Sequence, residues 1–451
     1  MLPLDSAPLR PALAPGSWPL AGHLFRFSRD PLRFLRSLPA HGDLVEIRLA
    51  VRDVHVLCHP DLARRALADG RTFDRTGPLY ERVRTDMGNG LATCAHADHR
   101  RQRLLMQPAF RRDRLGHYAA VMQEEIAALA DRWRPGQVVD VVDAMFALTT
   151  SIAVRTLFSS RVEESTAAGL RHCLDVFLRG SYTRVLLPFT AALPTPANRR
   201  FARALAQWRA YVGGVVADGR RRQSGPPDLL SSLLEARDDE QSGMNEEELA
   251  DQIAVLVLAG AETTSAALAW SWHLLGAHPA AEEELLAEAD AVLGGAVATW
   301  QDLPRLEHTD RVVREALRLY PPAWAIPRTV TRATELAGRT LPAGSTVLFS
   351  PYVLHRRAGT YPEPDRFRPE RWRPDPVSGR CPVPATDFFP FGAGATKCIG
   401  ESFALTEACL ALASLASRWR LRPVPGAVVR PAARSVLCPR TLPMRVVGRR
   451  H

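Results

Sequence analysis

Apolar residues recur at intervals of three and four along most of residues 61–320, which predicts a largely helical body. The run GDLVEIRLAVRDVHVLCHP (42–60) instead alternates apolar and polar positions on both sides of an Arg-Asp pair and predicts two paired strands. Further short strands are expected in TVLFSPYV and near the C-terminus. Gly, Pro and polar residues cluster in three expected loops, at 76–90, 187–200 and 222–228. The chain is therefore predicted to be mainly α with a minor β part.

Residues 1–25 are rich in Pro and Gly and predict an extended lead-in, and DPLRFLRSLPA (30–40) predicts a short helix after it. The lead-in lacks a basic stretch followed by an apolar run, so we expect no signal peptide. No segment has the roughly 18 consecutive apolar residues that a membrane span requires. With neither repeats nor low-complexity linkers in the sequence, we expect one domain over residues 1–451.

The composition is that of a globular protein, with 46% hydrophobic and 24% charged residues. A formal charge of +10 would suit nucleic acid, but all 58 basic residues except Lys397 are arginine, and they are scattered as doublets on amphipathic stretches. We interpret them first as solvated faces, second as a surface for an acidic protein, and last as a nucleic-acid site. The seven cysteines show no CxxC spacing, which argues against a disulfide framework or a thiolate zinc site and favours a reducing cytoplasm.

One long helix is predicted in MNEEELADQIAVLVLAGAETTSAALAWSWHLLGAHP. Asn245 and Glu248 form a capping box, and Gly276 followed by Pro279 ends the helix. The 30 residues 246–275 would extend about 45 Å at 1.5 Å per residue. The middle of the helix is apolar nearly all round, so we expect it to be buried.

The stretch AGAETT (259–264) breaks helix rules in the middle of that buried segment. Gly260 costs about 1 kcal/mol relative to alanine, the Thr263 hydroxyl can bond back to the Ala259 carbonyl, and Glu262 places a charge in the core. One interpretation is a kinked core helix with a satisfied carboxylate. The other is a groove holding water, in which Glu262 and Thr263 pass protons to a bound group.

A second helix is predicted in REALRLYPPAWAIPR (314–328). Glu315 and Arg318 share a face there, so a salt bridge is available, although such a pair is most often on the surface. The double proline ends the helix, and an extended apolar stretch leads to Arg328. Arg371 lies further on, in FRPERW.

The stretch FGAGATKCIG (391–400) places Cys398 just before a predicted amphipathic helix, whose N-terminus favours a thiolate. Gly392, Gly394 and Gly400 allow the backbone to approach a flat ligand closely. A lone thiolate suits a metal whose other positions are already filled, as in haem. The alternatives are a catalytic cysteine nucleophile and an inert buried thiol.

Together these motifs resemble those of the cytochrome P-450 haem-thiolate monooxygenases. FGAGATKCIG matches the family's FxxGxxxCxG signature, EALR its ExxR, PERW its PERF-type element and AGAETT its oxygen-activating helix motif. They occur in the family's order and approximate spacing, and the resemblance extends over essentially the whole chain. It implies a single-domain P-450 fold, a triangular helical body with small β-sheets and haem between a long central helix and the cysteine loop.

The resemblance implies haem b (iron protoporphyrin IX) as cofactor, with Cys398 as the proximal iron ligand and Glu262 and Thr263 delivering protons on the distal side. The other positions that it assigns are the cysteine loop (Phe391, Gly394, Gly400), the haem propionate partners (His99, Arg103, Arg328) and a structural triad (Glu315, Arg318, Arg371). One residue departs from the pattern: Thr396 stands where the family usually has Arg or His facing a propionate.

The resemblance places the substrate pocket along four segments, at 78–94, 175–192, 255–263 and 323–327. Trp324 and Ile326 would be bulky walls, with Ala259 on the helix, which favours an apolar ligand. The pattern is similar to bacterial members that oxidise sesquiterpenes beside terpene synthases, and the hypothesis is oxidation of a terpene hydrocarbon in secondary metabolism. Alternatives are a fatty acid, macrolide or steroid substrate, a non-catalytic haem-thiolate sensor, peroxide-driven or isomerising chemistry, and a cysteine hydrolase.

The sequence carries neither a second nucleotide-binding module nor an iron–sulfur cysteine set. Electrons from NAD(P)H are therefore expected through a separate acidic ferredoxin and its reductase. Four basic residues are expected on the proximal side to dock that ferredoxin: Lys397, Arg111, Arg112 and Arg114. We expect a soluble, monomeric bacterial cytoplasmic protein with neither nucleic acid nor a membrane as partner.

Overall fold

The computed structural model describes residues 9–50, 52–158, 193–221, 228–375, 378–379 and 381–449, and six positions between 159 and 192. The chain divides into two compact units, each built from two separate stretches. Unit 1 comprises Met1–Tyr80 and Leu317–Cys398, and unit 2 comprises Glu81–Ala316 and Ile399–His451. That residues 1–451 act as one domain stays a prediction.

In the described residues the helices are α1 (Leu24–Arg29), α2 (Pro31–Ser37), α3 (Pro60–Ala68), α4 (Pro78–Met87), α5 (His96–Met106), α6 (Arg112–Arg132), α7 (Val141–Phe158), α8 (Pro196–Arg221), α9 (Leu229–Glu235), α10 (Glu246–Ala277), α11 (Pro279–Leu293), α12 (Glu307–Leu319), α13 (Pro351–Leu354) and α14 (Glu401–Arg418). The strands are β1 (Pro11–Leu13), β2 (Leu44–Leu49), β3 (Arg52–Leu57), β4 (Phe73–Asp74), β5 (Val138–Asp140), β6 (Ile326–Val330), β7 (Thr334–Leu336), β8 (Arg339–Leu341), β9 (Thr346–Phe349), β10 (Trp419–Pro423), β11 (Pro431–Ala433), β12 (Leu437–Pro439) and β13 (Pro443–Gly448).

Unit 1 is organised around a six-stranded sheet in the order β1-β2-β3-β9-β6-β4, beside the small hairpin β7-β8. The predicted strand pair of residues 42–60 is confirmed, since β2 and β3 pair antiparallel from Leu44 opposite Leu57 to Leu49 opposite Arg52. Apolar side chains of the sheet pack with α3 into a core that includes Phe349 and Phe389. This sheet supplies Arg328 on β6 to the candidate site.

Unit 2 is organised around α10, which packs most extensively against α7. The capping box is confirmed: the Asn245 side chain accepts from the Glu248 backbone N–H at 2.8 Å, and Glu248 Oε2 accepts from Asn245 N–H at 3.0 Å. The helix ends at Ala277, two residues beyond the predicted end, and Pro279 begins α11. In the part of the chain that the structure describes, α10 alone is long and apolar enough to cross a membrane, but 72% of its most apolar window is buried in the protein. Its burial is that of a core helix.

The remaining strands of unit 2 form a three-stranded sheet, β10-β13-β5, and the hairpin β11-β12. Trp270 of α10 joins the core helix to this part, because its indole N–H donates to the carbonyl of Leu437 in β12 at 2.9 Å. The predicted helix after the cysteine is α14, which packs against α6, α10 and α11.

Glu407 is an unusual residue of the packing between α14 and α10. Its carboxyl is fully buried, and burial raises its pKa well above the ordinary value, which the Thr264 hydroxyl offsets only in part. Burial therefore favours the neutral form of this carboxyl.

Several element boundaries differ from the sequence predictions. The prediction of a loop at 76–90 is wrong, because most of this segment forms the helix α4. Gly77 (φ +83°) and Gly88 (φ +91°) directly flank the helix. At 187–200 the chain is already helical from Pro196, the position where a missing N–H costs nothing. Residues 187–192 and 222–227 lie outside the described residues.

Two further corrections concern proline and the lead-in. The strand predicted in TVLFSPYV stops at Phe349, because Pro351 starts α13 with Ser350 as N-cap. The lead-in is not wholly extended, since Leu24 already begins α1. The short helix after it is confirmed as α2, capped by Asp30, which accepts from the Arg33 backbone N–H at 3.0 Å.

Candidate active site

The cysteine loop is held in shape by its own backbone. Cys398 N–H donates to the Phe391 carbonyl at 2.8 Å, and Lys397 N–H donates to the Gly394 carbonyl at 3.1 Å. Cys398 is exposed, whereas burial raises the pKa of the Cys58 thiol to about 12. Gly400 precedes the first residue of α14, so the thiol lies just ahead of a helix N-terminus, as predicted. The loop therefore presents a sulfur that can reach a ligand.

Gly394 is required in this loop for two reasons. Its φ is +67°, and a Cβ placed on it would lie 2.5 Å from the carbonyl oxygen of Leu67 at the end of α3. Gly392 has a similar φ of +70° but faces open space. Close contact between the loop and α3 therefore depends on the absence of a side chain at 394.

His355 connects the loop to the rest of unit 1, and the sequence analysis did not identify it. The ring is fully buried, and its pKa lies well below the ordinary value because burial, followed by the nearby charges of Arg318 and Arg356, disfavours the cation. Its Nε2 accepts from the Phe389 backbone N–H at 2.8 Å, two residues before the loop begins. A neutral imidazole is the form that can accept this bond.

Arg318 fixes the segment that carries His355. Its guanidinium is fully buried and donates to three carbonyls, those of His355 (2.9 Å), Pro364 (2.6 Å) and Arg366 (3.1 Å). Glu315 is also fully buried, so the surface-pair interpretation of these two residues is wrong.

Arg371 lies in a 3₁₀ turn, Pro369–Trp372, and donates to the Glu363 carbonyl at 3.4 Å. Arg371 is only partly buried, unlike the fully buried Glu315 and Arg318. The association of the three residues as a triad stays a prediction.

Arg328 is a buried cation, only 7% exposed. Its Nη1 donates to Tyr80 Oη at 2.8 Å and to the Pro327 carbonyl at 2.9 Å. Among the described residues no carboxylate pairs with it. A buried guanidinium without a counter-ion is costly, so this position fits an anionic group such as a haem propionate.

The AGAETT stretch opens one face of α10. Ala259 is exposed and Leu256, Gly260 and Thr263 are partly exposed, whereas the flanking turns of the helix are mostly buried. Thr263 Oγ1 donates to the Ala259 carbonyl at 2.6 Å, as predicted. Residues at i, i+3, i+4 and i+7 share a face, so the open positions form one stripe. This arrangement favours the groove interpretation over a closed core helix.

Glu262 is held at the edge of that stripe. Its Oε1 accepts from Ser435 Oγ at 2.8 Å, and its backbone carbonyl accepts from Ser265 Oγ at 2.9 Å. The carboxylate is partly buried and hydrogen-bonded, which removes the penalty expected for a bare charge in the core.

The predicted propionate partners of unit 2 lie one turn apart on α5, with His99 buried and Arg103 partly buried. In unit 1, Trp324 is buried and stacks on Phe27, with ring centroids 6.4 Å apart. Ile326 is partly buried at the start of β6. The roles of these residues toward haem and substrate stay predictions.

Unit 2 contains a cavity of about 340 Å³. Its apolar wall residues include Met87, Ala254, Leu258, Leu205, Trp208 and Val212, and Arg209 and Glu247 add charged groups to the lining. Asp86 and Asp251 also line it, and burial raises the pKa of both carboxyls. The lining includes residues of the predicted segments 78–94 and 255–263, and also residues of α8, which was not predicted although its apolar stripe was a usable signal. Most of the predicted segment 175–192 lies outside the described residues.

The donor set fits haem better than a metal held by protein ligands alone. The described residues contain no cluster of three His, Cys, Asp or Glu side chains that could hold a metal ion. Within unit 1, the exposed thiol of Cys398 and the buried Arg328, which pairs with no carboxylate among the described residues, suit an anionic macrocycle with iron at its centre.

Residues 11–444 match the family model described as Cytochrome P450. The chain belongs to the cytochrome P450 family. Its structure is similar to the crystal structure of cytochrome P450DA heme domain, with a TM-score of 0.88 and 27% identity over 98% of this chain and 99% of that one. The chain has the mainly α P450 fold, haem b is its cofactor, and it is an oxygen-inserting oxidoreductase. Family membership excludes the cysteine-hydrolase interpretation.

Three relatives come from Streptomyces. Cyclooctatin synthase and cyclooctat-9-en-7-ol 5-monooxygenase of Streptomyces melanosporofaciens are 47% and 45% identical, over 94% and 92% of this chain and 92% and 90% of theirs. Pentalenene oxygenase of Streptomyces avermitilis is 43% identical over 97% of both chains. All three are bacterial terpene-oxidising P450s.

We predict that Gly394→Ala lowers the free energy of unfolding by about 2 kcal/mol or more, because it combines an unfavourable φ with a clash against Leu67. Gly392→Ala is the matched control, with the same φ cost of about 1 kcal/mol and no clash. Thermal unfolding and haem content per chain measure both. Equal losses in the two variants would contradict a role for the close contact at 394.

Proposed function

We propose that this P450 oxidises a terpene in bacterial secondary metabolism, using one atom of O2 for the product and releasing the other as water. The observation that carries the proposal is that three terpene-oxidising relatives are 43–47% identical over at least 92% of the chain. The apolar side chains in the lining of the unit 2 cavity, and Leu256 and Ala259 in the open stripe on α10, support a hydrophobic substrate. The sum of the reaction is substrate, O2, two electrons and two protons giving the alcohol and water.

Each candidate residue has a defined task in this proposal. Cys398 would hold the iron through its thiolate, and Arg328 would pair with a propionate. Haem iron, when bound, supplies the activation of O2. Thr263 already donates its proton to the Ala259 carbonyl, so its oxygen can accept a hydrogen bond from water. Glu262, oriented by Ser435, is the acid that can renew protons at this position.

Electron supply from an acidic ferredoxin and its NAD(P)H-dependent reductase is also part of the proposal. Lys397, Arg111 and Arg112 are exposed and Arg114 is partly exposed, which supports docking to an acidic surface. We further propose that the protein is a cytoplasmic monomer. The ferredoxin proposal rests on these basic residues and on the family resemblance, and the proposal of a cytoplasmic monomer rests on the family resemblance.

The absorption spectrum of the reduced protein under carbon monoxide tests the haem–thiolate assignment. We expect the strongly red-shifted Soret band of thiolate ligation in the wild type and its loss in Cys398→Ser. Cys381→Ser is the control, since Cys381 is also exposed but lies outside the signature. A histidine-type band in the wild type, or an unchanged band in Cys398→Ser, would contradict the assignment.

Thr263→Ala tests the proton role. We expect more hydrogen peroxide released per NAD(P)H consumed and product formation lowered at least tenfold, because proton delivery contributes about 10²–10⁴ in rate. Ser271→Ala is the control, because its hydroxyl makes the same bond four residues back on α10, at 2.8 Å, in a fully buried turn. Equal coupling in the two variants would point instead to a haem sensor or carrier.

A substrate panel tests the terpene assignment. The ferric protein is titrated with cyclic terpene hydrocarbons and their mono-alcohols, beside fatty acids, macrolides and steroids. We expect a substrate-induced shift of the haem spectrum with a terpene, and we expect the affinity to be about tenfold weaker in Trp208→Ala, which changes the cavity wall. A shift with fatty acids, macrolides or steroids alone would overturn the terpene proposal and leave the monooxygenase assignment intact.

A further inference from the structure

Unit 1 exposes three large apolar side chains close together, a surface here named the turn patch: Trp18 and Leu20 on the turn 18–22, and Phe25 in α1. Leu20 is 95% exposed, and Trp18 and Phe25 are 63% and 65% exposed. The rings of Trp18 and Phe25 meet edge to face with centroids 6.3 Å apart. Trp18 is the one tryptophan among the exposed large apolar residues of the described chain, and Leu13 nearby in the sequence is also 64% exposed. Single exposed apolar residues are ordinary, but a cluster needs a reason.

Backbone hydrogen bonds and close packing on β2 fix the turn that carries Trp18 and Leu20. The backbone N–H of Trp18 donates to the Gly22 carbonyl at 2.9 Å, and that of Gly22 donates to the Trp18 carbonyl at 2.8 Å, so Leu20 lies at the tip of a closed turn. Gly22 packs so tightly on β2 that a Cβ there would lie 2.3 Å from the Arg48 carbonyl oxygen.

Leu20 itself adopts φ +62°, a conformation that is unfavourable for leucine. A free turn would relax and cover the side chain. The turn instead displays Leu20 in a strained and fully solvated position, and such outliers point to function when the surrounding structure enforces them.

The chain around the patch is basic. Residues 9–37 contain five arginines and one acidic residue, Asp30. Arg29 and Arg33 are exposed, and neither makes an ion pair among the described residues. An apolar tip with arginines beside it is complementary to a surface that is negatively charged outside and apolar beneath.

We propose that the turn patch docks this P450 on anionic lipid membranes, with Trp18, Leu20 and Phe25 entering the interface and the arginines contacting lipid phosphates. A protein partner is a poorer fit, because a specific protein interface needs about 800 Å² on each side and three side chains supply only part of that area. A soft bilayer accepts a projecting tip, and tryptophan is favoured at its interface.

This inference revises one expectation from the sequence, which ruled out a membrane partner by considering membrane-spanning segments alone. Surface docking needs no such segment. The proposal is independent of the terpene assignment, since it concerns a surface and not the substrate pocket.

Vesicle flotation of the haem-loaded full chain tests the proposal. The probes are vesicles of equal parts phosphatidylglycerol and phosphatidylcholine, and vesicles of phosphatidylcholine alone. We expect the wild type to bind the anionic vesicles more tightly, with affinity falling as salt rises. Leu20→Asn should weaken binding about tenfold, since it removes an exposed leucine that the bilayer would bury, while asparagine tolerates the left-handed conformation. Arg29→Gln combined with Arg33→Gln should weaken it by a similar factor and flatten the salt dependence.

Matched variants and a second measurement keep the test decisive. Val428→Asn removes another exposed apolar side chain, and Arg430→Gln with Arg440→Gln removes two other exposed charges; both should bind like the wild type. The carbon monoxide spectrum of each variant confirms an intact haem site. No binding by the wild type, or equal loss in the Val428 control, would overturn the proposal. A dimer in size-exclusion chromatography that Leu20→Asn disperses would assign the patch to self-association.

Discussion

A guanidinium that is removed from water must find acceptors for its N–H groups, and the structure of unit 1 depends on how Arg318 meets that demand. Three carbonyls, from residues 355, 364 and 366, accept from it in the interior. Hydrogen bonds from a charged donor contribute about 1.5–3 kcal/mol each, so the chain between these carbonyls has little freedom. Because His355 then accepts from Phe389, the constraint extends to the start of the cysteine loop.

The cysteine loop and the AGAETT stretch both contain residues that are unfavourable in regular structure. Glycine at 394 lets the loop touch α3, and the small residues 259 and 260 leave a gap on a helix that is otherwise buried. Each of these departures lowers stability and is stabilised by neighbouring residues. Ser435, for example, donates a hydrogen bond to the Glu262 carboxylate. Departures from local rules concentrate at functional sites, and here they coincide with the family motifs.

Features set by short-range chemistry could be predicted from the sequence. The capping box at Asn245, the β2–β3 pairing and the helix after Cys398 each depend on residues a few positions apart. Features set by distant contacts could not. The sequence around His355 carries no sign that its ring would accept from Phe389, and the burial of Glu315 and Arg318 contradicts what their helical spacing alone suggests. The helix inside the expected loop at 76–90 was missed because its two bracketing glycines resemble a single turn.

The division of the chain has a consequence for how the enzyme is made. Unit 1 begins with the first 80 residues and ends at Cys398, with residues 81–316 of unit 2 between its two stretches. At a synthesis rate of about 5–20 residues per second, the ribosome needs roughly 10–50 s to make that intervening segment. Until the second stretch emerges, the β2–β3 pair lacks the neighbouring strand β9, and Cys398, the proposed iron ligand, is the last residue of the unit to appear. Haem capture through Cys398 would therefore be a late event in biogenesis, after the strands β2 and β3 have been made.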